Sequence, residues 1–209
     1  MNSGKPFKPK PLDEELYQAC AKGSFEEVQS LLDQGADPTL PHWEEAWCDG
    51  LPEDYYCVHE AACNPDLRIF DLLVERGADP NVFDVYDRQP LALAAANNTL
   101  AMVRHLVELG NNPDNPDFDG GSVLTYAALN PDIQVVEFLL EQGAQLDNCD
   151  PYISELAQAI RKGTPERVRF FVEHGSSLDI VDELCDNAPA ENISALREAM
   201  REIQGTKGK

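Results

Sequence analysis

Cys48, Cys57, His59 and Cys63 fall within 16 residues of one another, and His42 lies just upstream. Thiolates and imidazoles are the ligands zinc prefers, so metal chemistry must first be weighed here. The spacing Cys-x8-Cys-x-His-x3-Cys lacks the paired knuckle of structural zinc modules. Cys57 and His59 alternate along a segment that reads as strand-like, which points the two side chains apart and argues against a Cys–His nucleophile. The remaining cysteines (Cys20, Cys149, Cys185) form no CxxC, and His105 and His174 stand far along the chain. GxSxG and HExxH are both missing, and Gly120-Gly121 reads as a turn. Acidic pairs are too numerous to mark a general acid or base. We therefore expect no enzyme, no cofactor and no metal, with a zinc-stabilised or self-assembling structural protein as the alternative.

The elements that would hold any site carry an unusual charge. The chain has 38 acids against 16 bases, a formal net charge of −22. Lys5, Lys8, Lys10, Lys207 and Lys209 lie in the tails, leaving 11 bases against all 38 acids between Asp13 and Glu202. Nucleic acid and anionic lipid are bound through Lys and Arg, so neither is an expected partner. A basic protein surface would instead be drawn in. The opening MNSGKPFKPKPL has no apolar signal core, and no apolar run reaches membrane-spanning length. The expectation is a cytoplasmic protein with reduced thiols, monomeric or weakly oligomeric when free.

Self-similarity sets the architecture. Leu31-Leu32-Asp33-Gln34-Gly35-Ala36-Asp37-Pro38 returns at Leu73-Val74-Glu75-Arg76-Gly77-Ala78-Asp79-Pro80. Weaker copies end at Gly110, Gly143 and Gly175, so successive glycines stand 42, 33, 33 and 32 residues apart. Before each glycine three apolar columns align at helical spacing. They are Leu16, Val58, Leu91, Leu124, Leu156; then Ala19, Ala61, Ala94, Ala127, Ala159; then Val28, Phe70, Val103, Val136, Val168. Ser24, Asp66, Thr99, Asp132 and Thr164 occupy an N-cap column, Ser24 with Glu27 at capping-box spacing. The recurrent glycine should end each second helix in a left-handed conformation.

This grammar resembles the ankyrin repeat, above all at Gly77-Ala78-Asp79-Pro80-Asn81 and Gln89-Pro90-Leu91-Ala92-Leu93-Ala94-Ala95. Of the family's T-P-L-H turn, Pro90-Leu91 keeps the middle and His59 the histidine. The resemblance implies an all-α solenoid of about five helix-turn-helix repeats with loop fingers and a C-terminal capping helix. The expected bounds are a basic, Pro-rich tail at 1–11, an ankyrin-repeat domain at 12–203 and a flexible tail at 204–209. Within the domain, repeats fall at about 12–38, 54–80, 87–113, 120–146 and 152–178, with a long loop at 39–53 and a cap at 179–203.

The resemblance also implies a protein-binding module that works through its fingers and its concave face. Four consecutive fingers each place an aromatic beside an acid: Asp54 and Tyr55; Asp84, Tyr86 and Asp87; Asp117, Phe118 and Asp119; Asp150 and Tyr152. Rigid aromatics dominate many binding hot spots, and flanking carboxylates select basic partners. The long loop adds Trp43 and Trp47, which a short helix would place on one face, either as a contact or as a lid over the first repeat. Arg161, Lys162, Arg167 and Arg169 form a small basic island, read mainly as neutralising nearby acids. The expected partner is a protein with a basic, partly apolar patch. An alternative within this class is an inhibitor or immunity-type protein that masks the basic surface of a toxin or nuclease.

Overall fold

A computed structural model describes residues 10–42, 55–97, 99–149, 151–179, 181–185 and 188–206. Helices come in pairs. They are α1 (Pro11–Lys22) with α2 (Phe25–Asp33), α3 (Cys57–Ala62) with α4 (Leu67–Glu75), and α5 (Pro90–Asn97) with α6 (Leu100–Glu108). Then follow α7 (Val123–Ala127) with α8 (Ile133–Glu141) and α9 (Glu155–Lys162) with α10 (Pro165–Glu173). First helices stack in chain order, α1 on α3, α3 on α5, α5 on α7 and α7 on α9, and second helices lie in a layer behind them, α2 against α4 and α6 against α8. A short α11 (Val181–Leu184) leans on α9, and α12 (Ala190–Thr206) lies along α10 and closes the array. The all-α repeat solenoid stands as expected.

The columns explain the stacking. All five column alanines are 0 % exposed, as are the five Val/Phe residues of the second-helix column, Val28, Phe70, Val103, Val136 and Val168. A residue without bulk lets neighbouring first helices approach, and the larger side chains fill the space behind. Each second helix ends as its glycine dictates: Gly35, Gly77, Gly110, Gly143 and Gly175 have φ between 95° and 103°. The amide after each glycine reaches back into the last turn, as in Ala36 N to Leu31 O and Ala78 N to Leu73 O, both 3.0–3.1 Å.

The N-caps divide by chemistry. Ser24, Asp66, Thr99, Asp132 and Thr164 all occupy the N-cap position. Asp66 accepts from Arg68 N at 3.1 Å and Asp132 from Gln134 N at 3.0 Å. Ser24 makes no such bond, so its expected capping box with Glu27 does not form. Ser24 and the two aspartates share one backbone conformation, and a carboxylate reaches one atom farther than a hydroxyl.

Polar side chains from one repeat satisfy the carbonyls left over where the previous first helix ends. Asn130 Nδ2 donates to Ala95 O at 2.8 Å, and Asn192 Nδ2 to Ala159 O and Ile160 O at 3.2 and 3.1 Å. Arg167 does the same for the short α7. It is buried, and its Nη1 donates to Ala127 O at 3.0 Å and Ala128 O at 3.3 Å. The basic island therefore divides. Arg167 serves helix ends, Arg161 donates to Tyr152 O at 2.7 Å, and Arg169 pairs with Glu198 of α12.

Candidate partner-binding face

Two of the fingers, numbered here by the repeat that each leads into, are tight turns built alike. In the third, Asp84 N donates to Arg88 O and Asp87 N to Asp84 O, both at 3.0 Å. In the fourth, Asp117 N donates to Gly121 O at 2.8 Å and Gly120 N to Asp117 O at 2.9 Å. The matched turn positions are left-handed: Gly120 has φ 81°, and Asp87, a residue type that tolerates this region, has φ 56°. Phe118 N donates to Tyr86 O at 2.8 Å, so the backbones of the two fingers are tied side by side.

This geometry sorts the acids. Asp84 was expected to face a partner, but its carboxylate turns inward and is 0 % exposed. Its Oδ1 accepts from Tyr86 N and Arg88 N at 2.9 Å each, and its Oδ2 from Arg88 Nε at 2.8 Å. Asp117 repeats the pattern, accepting from Gly121 N and from the Tyr126 hydroxyl. An aspartate at the head of a tight turn sits beside amides two and four residues on, so it holds the loop. Asp87 and Asp119 stay exposed and supply the outward charge.

The aromatic surface follows. Tyr86 is 44 % exposed and Phe118 is 75 % exposed. Tyr55 is half-buried, with its ring centroid 6.3 Å from that of Tyr86. Burial and a hydrogen bond with Tyr86 push the Tyr55 phenol up to about 12. Arg88 sits among them, its guanidinium carbon 4.8 Å from the Tyr86 ring centroid while two of its nitrogens hold Asp84. Sequence reasoning missed three contributors: Arg88, Tyr126 and the exposed Phe83. Arg88 was detectable as the lone base in an acidic finger, whereas nothing in the sequence marks Tyr126.

His59 anchors the third finger from behind. It is fully buried at the start of α3, where its Nδ1 accepts from Tyr56 N at 3.3 Å and its Nε2 lies 3.2 Å from Arg88 O. With both ring nitrogens so engaged, Nε2 carries the hydrogen. Cys57 opens the same helix, so this segment is not the expected strand, and its thiol is buried. Among the described residues, no group of three or more His, Cys, Asp or Glu side chains is placed to share a metal ion.

The fifth finger differs. Pro151–Ile153 forms a single 3-10 turn. Tyr152 is 47 % exposed, yet its hydroxyl donates to Glu183 of α11 and its carbonyl accepts from Arg161. Trp43, Trp47 and Asp54 lie outside the described residues, as do Cys48 and Asp150. The ends of the long loop are placed: β1 (Pro41–His42) pairs antiparallel with β2 (Tyr55–Tyr56), His42 opposite Tyr55. At this root His42 stacks on Tyr17 with centroids 3.9 Å apart, and the Tyr17 hydroxyl donates to Glu60 at 2.7 Å.

Among the described residues, no helix is long and apolar enough to cross a membrane. Residues 58–150 match the family model for ankyrin repeats, in 3 copies. No curated protein matches the chain.

Proposed function

Taking as premise that the chain is an ankyrin-repeat protein, with that family's protein-interaction repeats at residues 58–150, we propose that it grips a protein partner through the third and fourth fingers. One observation carries this reading. Tyr86 and Phe118 are exposed on two turns whose backbones are tied to each other and whose leading aspartates, Asp84 and Asp117, are bound into the turns themselves. Exposed aromatics on a rigid support lose little entropy on binding, which is the usual character of a hot spot. Asp87 and Asp119 flank them, and the net charge of −22 favours a basic, partly apolar surface on the partner. The reading is of a non-catalytic cytoplasmic module.

The charge also favours a sharper version, in which the protein masks the basic nucleic-acid-binding surface of an enzyme. Carboxylates would then stand where phosphates bind.

Affinity capture from native lysate tests the reading, comparing wild type with a Tyr86→Ala/Phe118→Ala double variant. A specific partner should be held by wild type and lost by the variant, with far-UV circular dichroism unchanged. Equal retention by both would remove the fingers from the site. The sharper version further requires that binding weaken steeply with salt and abolish the partner's activity.

A further inference from the structure

The second-helix layer is fastened seam by seam. Between α2 and α4, Arg76 pairs with Asp33 at 2.8 Å, and the Arg68 guanidinium lies 4.5 Å from the Phe25 centroid. Between α4 and α6, Asp71 pairs with His105 at 2.6 Å. Between α6 and α8, the Arg104 guanidinium lies 4.2 Å from the Phe138 centroid. Between α10 and α12, Arg169 pairs with Glu198. Each of these seams sets a basic side chain against a carboxylate or an aromatic ring.

Two of them use equivalent repeat positions. The residue six before the helix-ending glycine meets the residue five before the next such glycine: Asp71 with His105, then Arg104 with Phe138. The next pair in the series is Glu137 on α8 and Phe170 on α10. Here a carboxylate takes the place of the arginine, and a ring's negative face offers it no attraction. The surface opens at this seam into a groove of about 620 Å³, lined by Ile133, Glu137, Glu166, Phe170 and Glu173 among others. Phe138, under its arginine, is only 6 % exposed, whereas Phe170 is half-buried. His174 stacks on the Phe170 ring at 3.9 Å. The two arginines at the groove are committed elsewhere, Arg167 to the α7 carbonyls and Arg169 to Glu198.

We propose that the α8–α10 seam is a second docking site, and that it takes an arginine-bearing apolar segment of a partner protein. The partner's guanidinium supplies the cation that this seam lacks, between the Glu137 carboxylate and the Phe170 ring. Arginine suits this place better than lysine, because its planar group stacks on a ring and hydrogen-bonds a carboxylate at once. An adjacent aliphatic side chain packs on Ile133. Glu137, Glu166 and Glu173 repel acidic segments and phosphate. The site does not depend on the finger reading.

The test is an NMR titration of the full chain, followed at the Ile133 methyls and the Phe170 ring. The probe is a short capped helical peptide carrying two arginines one turn apart, with leucines between them. Shifts should concentrate in the groove, with affinity about tenfold above that of the same peptide carrying citrulline. Glu137→Arg supplies the cation within the chain. Because position 137 is exposed, the fold should persist, checked by circular dichroism, and the groove shifts should vanish. The Tyr86→Ala/Phe118→Ala variant should keep them. Binding unchanged in Glu137→Arg, or shifts spread evenly over the acidic surface, would overturn the proposal.

Discussion

The third and fourth fingers and the turn at Pro151–Ile153 carry one signature, an aromatic beside an acid, yet they fold into different devices. In the two fingers an aspartate heads the turn, gathers its own amides and leaves the aromatic outside. At the fifth, the aromatic itself is the fastener, its hydroxyl bound to Glu183 of the cap. A carboxylate placed to close a turn frees its neighbour to face a partner, whereas a tyrosine that must hold two elements together is less free to do so.

The largest effect that can break this comparison is at Asp84. Asp84→Ala leaves the poorly exposed Arg88 without its partner and two turn amides without their acceptor. It should cost about 2–4 kcal/mol in urea unfolding. Asp119→Ala, at an exposed carboxylate on the next finger, should stay within about 0.5 kcal/mol. Equal losses would mean that the inward and outward acids are not distinct.

Next in size is a pair of hydroxyl deletions. Tyr126→Phe removes a half-buried bond to the Asp117 carboxylate and should cost about 1.5–2.5 kcal/mol. Tyr152→Phe removes an exposed bond to Glu183 and should cost less than about 1 kcal/mol, read by the same denaturant midpoints.

The two regions should also respond to pH with opposite sign. Burial holds His59, behind the third finger, below its ordinary value of 6.5, outweighing the nearby Asp84 carboxylate. The unfolded chain takes up that proton first, so this contribution is present above about 6.5 and lost as pH falls below it. Glu155, at the start of α9, is buried and accepts from Ser122 Oγ at 3.1 Å and Asp147 N at 3.3 Å. Burial raises it above its ordinary 4.5, so its contribution is present below about 4.5 and lost as pH rises above it. Stability curves should show wild type losing its margin over His59→Gln on acidification. Glu155→Gln should gain on wild type as pH rises from 4.5. Parallel curves in either comparison would contradict the assignment. Smallest of all, Asp87→Gly should raise stability by about 0.5 kcal/mol, since glycine takes the left-handed turn position without strain.

The repeat phase was legible because burial and helix ends write themselves into residue types. The alanine column, the second-helix apolar column and the five left-handed glycines follow directly from packing and backbone sterics. The site was legible only in outline. Asp84 and Asp87 are the same residue type three positions apart, and only the turn's register decides which one faces inward. Arg167 reads as one of a basic cluster, but the shortness of α7 gives it carbonyls to serve. Tyr152 reads like Phe118 because the hydroxyl's partner, Glu183, lies 31 residues away. The seam between α8 and α10 was hidden for a similar reason. Glu137 looks like any exposed acid until the matched arginine of the preceding repeat is seen on its ring.

Hydroxyl-radical footprinting of the chain, free and with its captured partner, reads the exposure of the Tyr86 and Phe118 face residue by residue. Tyr86 and Phe118 should oxidise readily in the free chain and be protected in the complex, while Tyr152 changes little. Protection centred on Tyr152 or on Phe170, with Tyr86 and Phe118 as reactive as before, would contradict the account.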